Sequence, residues 1–391
     1  MRRITDFITD FRSIGVAYSP ISSLVKRVDS IRWENEIGKE YQYIDLSSVD
    51  RRLRKISATE SINAVTAPSR ARQVVLQGDV LFGTTRPMLK RSALVSGAHN
   101  RQIASTGFAV LRPKTEKILP NFLFHIIGTA DFYDYVEANQ RGASYPAITD
   151  SAVKSYLMPV PPLEVQREIV RILDQFTELE AELEAELEAR QKQYAHYRKQ
   201  LINEVSIEGE WVKLGDVLEN FDRLRRPVTR AARKHGPYPY YGANGIQDYV
   251  DQYLFDGTFL LMGEDGSVSQ EDGSPVLSWA SGKFWVNNHA HVLHARDERI
   301  LLRFAYHFLQ TVDITRYVTG SAQPKLNQKN MNAIPIVIPR LEAQEYVVRV
   351  LDKFDVLTTG LSSGLPAEIL ARRRQYEFYR DRLLTFKELA S

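Results

Sequence analysis

Arg223, Arg225, Arg226, Arg230, Arg233 and Lys234 stand within twelve consecutive positions with no carboxylate among them. A cationic loop of this density either faces solvent or contacts phosphates. Because the other charges around it are predominantly acidic, phosphate contact is the reading adopted. Arg51, Arg52, Arg54, Lys55, Arg70, Arg72, Arg86, Lys90, Arg91 and Arg101 offer the same chemistry earlier in the chain. Reading base edges requires amide or guanidinium groups presented from loops. The candidates are Arg141 and Tyr145 ahead of Pro146, Asn244 within Tyr240-Tyr-Gly-Ala-Asn-Gly245, the pair Asn287 and Asn288, and Gln323, Lys325 and Asn327 after Gly320.

Other constellations carry less. His289, His291 and His294, with Glu264 and Asp265 upstream, are metal-ligating types, but alternate strand histidines arise easily in 391 residues and no metal ligand is assigned. Glu264, Asp265, Glu271 and Asp272 sit among Gly263, Gly266, Ser267, Ser269 and Gly273, which reads as a solvated turn rather than a nuclease centre. Neither Gly38-Lys39 nor Gly282-Lys283 has a Walker A frame, and no Asn/Asp-Pro-Pro-Phe/Tyr tetrapeptide occurs. Nucleotide hydrolysis and amino-group methylation are therefore not expected of this chain, and no catalytic residue is assigned. The absence of cysteine removes disulfides, thiolate zinc sites, iron–sulfur clusters and thiol nucleophiles.

The elements that position these groups follow from an internal repeat. Leu163 to Phe176 (LEVQREIVRILDQF) aligns with Leu341 to Phe354 (LEAQEYVVRVLDKF), 178 positions on. Gly142, Pro146, Ile148 and Pro161 fall on Gly320, Pro324, Leu326 and Pro339 at the same offset. Gln193, Tyr194, Tyr197, Arg198 and Leu201 match Gln375, Tyr376, Tyr379, Arg380 and Leu383 at 182, so the second copy holds four extra residues, about one helical turn. Apolar side chains recur at steps of three, four or seven, through Leu179, Leu183, Leu187, Tyr194 and Tyr197 in one copy and Leu357, Leu361, Leu365, Tyr376 and Tyr379 in the other. That spacing predicts two long helices with a coiled-coil stripe, the first over 163–205. Glu-Leu-Glu-Ala repeats three times at 178–189, whereas Gly360, Gly364 and Pro366 interrupt the second helix, which restarts at Pro366.

Between the helices, Gly78–Gly83, Gly107–Leu111, Thr258–Met262 and His291–His294 read as strands. Phe122-Leu-Phe-His-Ile-Ile127 and Phe304-Ala-Tyr-His-Phe-Leu309 read as one late helix in each module, again 182 apart. The expected fold class is α+β, with two modules of about 150 residues separated by two long antiparallel helices in a pseudo-two-fold repeat. Segments 1–162 and 206–339 are the modules; 163–205 and 340–391 are the helices. Residues 1–162 hold 22 basic against 15 acidic side chains and 163–205 hold 6 against 10, so the overall +3 conceals a basic module and an acidic helix. No signal-like or membrane-length apolar run is visible, which suits a cytoplasmic protein.

With these motifs in hand, the chain resembles the specificity subunits of type I restriction–modification systems. The resemblance rests on Pro161-Pro-Leu-Glu-Val-Gln-Arg-Glu-Ile-Val-Arg-Ile-Leu-Asp174, on Gly364-Leu-Pro-Ala-Glu-Ile369 with Arg374-Gln-Tyr-Glu-Phe-Tyr-Arg380, and on the Glu-Leu-Glu-Ala repeat, which is similar to that of the type IC subgroup. It implies two target-recognition domains, each reading one half of a split double-stranded DNA site, and helices that space them and dock two methyltransferase (M) subunits. Restriction/motor (R) subunits are implied partners, with S-adenosylmethionine, ATP and Mg bound by the partners rather than by this chain. Trp211-Val-Lys-Leu-Gly-Asp-Val217 is a common family opening that the first module lacks. The alternative from another class is a coiled-coil adaptor whose modules bind proteins.

Overall fold

The computed structural model describes residues 15–320, 323–360 and 363–389. It divides into two compact units, Met1–Ala185 with Glu368–Ser391, and Glu186–Ala367. Each unit combines one module with part of both helical segments. The central helix, Leu163–Ser206, is continuous. The second helical segment is two helices, Leu341–Thr359 and Leu365–Leu383, with Gly364 at φ +84° between them and Pro366 in the first turn of the restart.

In the first unit, a four-stranded sheet runs Glu60–Ile62, Tyr41–Ile44, Ile103–Ser105, Ala71–Val74, and another runs Val25–Lys26, Phe108–Pro113, Val80–Gly83, Ser92–Leu94. Gly15–Pro20 pairs antiparallel with Leu157–Val160 and parallel with Lys387–Glu388, which ties the module's entrance to the segment after the last helix. The main core joins Phe82, Phe122 and Phe132 to Ile169, Leu173 and Phe176 of the central helix and to Tyr376 and Leu383. Each such side chain contributes about 1.5–3 kcal/mol of burial. Within this unit the helices are antiparallel, because Phe176 stacks on Tyr379 (centroids 5.6 Å) while Glu180 and Glu184 pair with the earlier residue Arg373.

The second unit holds a six-stranded sheet ordered Leu218–Asn220, Ala290–Ala295, Phe255–Gly263, Leu277–Val286, His235–Gly242, Gly245–Val250. Its main core packs Phe304 and Phe308 against Tyr194 and Ile202 of the central helix and Val347 and Leu351 of the following one.

Two features explain why the repeat is spelled as it is. Gln166 and Gln344 are fully buried. Gln166 accepts from the Leu119 amide (2.9 Å) and donates to the carbonyls of Lys117 and Pro161. Gln344 accepts from Leu301 (2.8 Å) and donates to Arg299 and Pro339. A primary amide has both donors and acceptors, so it satisfies three backbone groups at once where a hydrophobe would strand them.

The missing opening of the first module is also supplied, by different residues. Glu210–Lys213 pairs with Pro335–Ile338 and Leu214 donates to the Ile334 carbonyl at 2.8 Å. Gly15–Pro20 pairs with Leu157–Val160 and Ile21 donates to Tyr156 at 3.0 Å, with Ile21 and Leu214 both fully buried. Strand pairing and one buried aliphatic define this opening, so unrelated sequences build it.

Candidate nucleic-acid interface

Both modules carry the same backbone clasp. In the first, Arg141 and Ala147 exchange both hydrogen bonds at 2.8 Å, Ile148 donates to the Thr84 carbonyl (2.9 Å) and Arg86 donates to Pro146 (2.7 Å). In the second, Thr319 and Lys325 exchange both bonds at 2.8 Å, Leu326 donates to Glu264 (2.7 Å) and Gly266 donates to Pro324 (3.1 Å). Gly142 at φ +97° and Gly320 at φ +83° turn the two loops. At Gly142 an added Cβ would lie 2.9 Å from the Tyr145 carbonyl oxygen, which makes glycine obligatory there.

The clasp presents several of the expected readers together. Arg141 and Tyr145 are exposed, and the Arg86 guanidinium lies 4.4 Å over the Tyr145 ring. Lys90 is exposed nearby in sequence with its ammonium 4.8 Å over Tyr133, and Arg91 is half-buried. Gln323 is exposed beside Pro324, and the exposed Lys325 reaches Glu264 at 3.3 Å. Arg70, Arg72 and Arg101 are not part of this group. Arg70 precedes the strand Ala71–Val74 and Arg72 lies within it, and Arg101 stands in the turn before Ile103, lining a separate shallow cavity with Glu36 and Tyr41.

Several expected contacts are spent on the fold itself. Arg225 bridges Asp222 (3.1 Å) and Glu264 (2.6 Å), donates to the Ala290 carbonyl and keeps 12% side-chain exposure, so it is an internal counter-ion rather than a phosphate ligand. Arg233 donates to Asp248 (3.2 Å) and the Val228 carbonyl and covers Tyr240. Arg223, Arg226, Arg230 and Lys234 remain exposed. The cationic run is thus split between structure and surface. Arg54 turns inward to Ser92 and the Phe124 carbonyl, both at 2.9 Å, while Arg52 pairs with Glu184.

The amide candidates divide in the same way. Asn287 is 3% exposed and its side chain accepts from the His289 amide, whereas Asn288 is exposed. Asn327 caps the helix Gln328–Asn332 by accepting from the Asn330 amide. Asn244 is exposed and donates to Ser267 at 2.7 Å.

Asp222, Glu264 and His291 bring three donor atoms within 4.8 Å of one another. Arg225 already supplies the positive charge there, and both His291 ring nitrogens face oxygens, of Asp222 (2.5 Å) and the Leu326 carbonyl (2.7 Å). The cluster therefore anchors the clasp residue Leu326. His289 pairs with Asp265 and His294 with the Ala295 carbonyl. Gly360-Leu-Ser-Ser-Gly364 has the spelling of a nucleophile elbow, but the element before Gly360 is the helix Leu341–Thr359 and not a strand.

A second constellation, unforeseen from sequence, locks each module to the helices. His125 Nε2 lies 2.9 Å from Asp174, and its Nδ1 lies 2.9 Å from the Tyr376 hydroxyl. His307 repeats this with Asp352 (2.7 Å) and Tyr194 (3.3 Å). A carboxylate accepts, so Nε2 carries the proton and Nδ1 accepts from the tyrosine. Burial pushes both imidazoles below their ordinary pKa, partly offset by the aspartates. The signal was present, since both histidines stand at the same place in the repeated late helices.

Among the helix positions expected to form the seam, Tyr194 and Tyr376 are buried and Tyr379 stacks on Phe176. Tyr197 packs on Phe354 while staying partly exposed. Leu183, Leu187, Leu357 and Leu365 are half-buried, Leu179 is 45% exposed, and Leu361 lies outside the described residues.

A duplicated α+β module, joined by a His–Asp–Tyr lock to long helices and presenting basic, aromatic and amide side chains beside a shared backbone clasp, is what these observations define. The sequence profile of the type I restriction modification DNA specificity domain matches residues 69–189 and again 207–371. The chain belongs to this family of specificity subunits. It is 30% identical over 296 residues to the Escherichia coli type I restriction enzyme EcoprrI specificity subunit, covering 71% of this chain and 72% of that one. An open-reading-frame product of Haemophilus influenzae, named as a type I restriction enzyme specificity subunit, is 41% identical over 186 residues, 46% of this chain and about half (48%) of the relative. A chain solved in work on assembly and conformational transition of the type I R-M system superposes with TM-score 0.62 at 24% identity, covering 95% of this chain and 97% of the other. The Mycoplasma genitalium type I S subunit gives 0.58 at 15%, covering 95% and 96%. At these identities the superpositions speak for the fold. No helix among the described residues is long and apolar enough to cross a membrane.

Proposed function

We propose that this chain reads a bipartite DNA site, one half-site per module, and docks two adenine-methyltransferase subunits and the restriction/motor subunits on its helices, in the cytoplasm. The chain itself carries out no catalytic step. The observation that carries the reading is the clasp: the two modules share one backbone frame but fill it with different readers, Arg141 and Tyr145 in one, Thr319, Gln323 and Lys325 in the other. Equal frames with unequal side chains suit two unequal half-sites. Exposed cations of the Arg223–Lys234 loop supply phosphate attraction that orients without reading sequence.

In this reading S-adenosylmethionine, ATP and Mg belong to the partner subunits. A target adenine must leave the stack to be methylated, and the contribution of this chain is to hold duplex and methyltransferase in the register where that occurs. The test is to assemble the chain with its methyltransferase subunits, supply S-adenosylmethionine and a duplex library, and sequence the methylated products. One split motif with a fixed gap is expected. A complex that assembles but shows no sequence preference would overturn the proposal in favour of a protein-binding adaptor.

A further inference from the structure

Among the described residues, four non-glycine positions have positive φ: Arg54, Arg86, Lys90 and Arg101. L-residues rarely adopt this region, and where they hold it at a functional loop the conformation is often what the loop is for. Arg54 is explained by its buried hydrogen bonds to Ser92 and Phe124. Arg86 has no such explanation, and the other module supplies a control. The clasp bond from the Arg86 amide to Pro146 corresponds to the bond from the Gly266 amide to Pro324. At that shared position the backbone has φ +48° at Arg86 and +74° at Gly266. The second module fills a left-handed position with the residue suited to it; the first fills it with an arginine.

The Arg86 side chain makes no ion pair or hydrogen bond among the described residues. Its guanidinium carbon lies over the Tyr145 ring, 4.4 Å from the centroid, and Tyr145 is itself 71% exposed. A guanidinium held over an aromatic ring keeps N–H donors at its edge free for a partner. Stacking also restrains a side chain that would otherwise lose much rotamer freedom on binding. A planar, restrained two-donor fork matches the O6 and N7 acceptors of guanine.

Resting on the DNA-reading function proposed above, we infer that Arg86 is the specificity-determining residue for a guanine in the half-site read by the first unit, and that Tyr145 is the positioning residue that holds its guanidinium. Arg86 contacts the base edge; Tyr145 acts through Arg86.

The experiment is the methylated-motif assay on the assembled complex, with thermal melting of each variant. The wild type is expected to show a guanine in one half-site. Arg86→Gly places in the first module the residue the second module uses, so its melting temperature should be equal or higher, while discrimination at that guanine falls about tenfold or more. The other half-site and the gap should not change. Arg86→Lys keeps the charge but loses the fork and should behave like Arg86→Gly. Tyr145→Ala should weaken the same guanine preference, and Tyr145→Phe, which retains the ring, should restore it. An unchanged motif in Arg86→Gly, or full discrimination in Arg86→Lys, overturns the inference and makes Arg86 a phosphate contact or a bystander. A wild-type complex with no split motif overturns the DNA-reading function and this inference together.

Discussion

The Tyr376 hydroxyl donates to Nδ1 of His125 at 2.9 Å although 251 positions separate them in the chain. The same imidazole donates to Asp174, so one side chain of the module joins it to both helical segments of its unit. Tyr194, His307 and Asp352 repeat the arrangement in the second unit. Buried groups of this kind cost most when one partner is removed and the others are left unpaired. Tyr376→Phe and Tyr194→Phe should each destabilise by about 1–2 kcal/mol, observed as a melting shift of about 2–4 °C per kcal/mol. Because the two locks lie in different units, the double variant should show nearly additive losses.

The locks also predict a pH response. Burial holds His125 and His307 below the ordinary imidazole range in the folded protein. In the unfolded chain the ring titrates near about 6.5. The folded state therefore takes up its proton later than the unfolded state, so this stabilisation is complete above about pH 6.5 and is lost as pH falls toward the folded value. Urea midpoints measured between pH 8 and 5 should fall on the acid side. In the variant His125→Gln, His307→Gln that fall should be shallower; an equal slope would assign the acid response to other groups.

The cationic run separates into two kinds of arginine with opposite signatures. Arg225→Ala leaves Asp222 and Glu264 without their shared counter-ion and should destabilise the second unit by about 3–5 kcal/mol. Arg223→Ala and Arg226→Ala change exposed side chains and should alter stability by less than about 0.5 kcal/mol. In DNA binding by the assembled complex, each should instead reduce the slope of log K against log salt by about one. Melting curves and salt titrations of the three variants check both halves.

Removing one Glu-Leu-Glu-Ala unit, residues 182–185, shortens the central helix by about 6 Å while keeping its face nearly in phase. If the helix sets the separation of the half-sites, the deletion should shorten the preferred gap and leave both half-site sequences as they were. Sequencing of methylated DNA from cells carrying the deletion reads both quantities, and an unchanged gap would remove the helix as the ruler.

Much of the architecture was legible because it depends on local periodicity. The heptad-like stripe around Tyr194 and Tyr376, the break at Gly364 and Pro366, and the late helices around Phe122 and Phe304 all need only neighbours in sequence to be recognised. The site was less legible. Arg225 and Arg226 are adjacent and chemically identical, yet one is an internal counter-ion and the other is exposed. Asn287 and Asn288 differ in the same way, and Asn327 is occupied as a helix cap. Which of two neighbours turns inward is fixed by the partners the fold brings to it, such as Glu264 and the Ala290 carbonyl for Arg225, and composition does not report them.

The sequence by itself determined the duplication, the helices, the α+β class and the membership of the family, because repeat spacing and apolar period survive as patterns along one dimension. Tertiary structure alone decided which cations face outward, that His125 meets Tyr376 and Asp174, and that Arg86 occupies a backbone position its counterpart gives to Gly266. These are relations between segments tens to hundreds of residues apart, or values of φ, and each is settled by packing and hydrogen-bond satisfaction only once the chain has closed on itself.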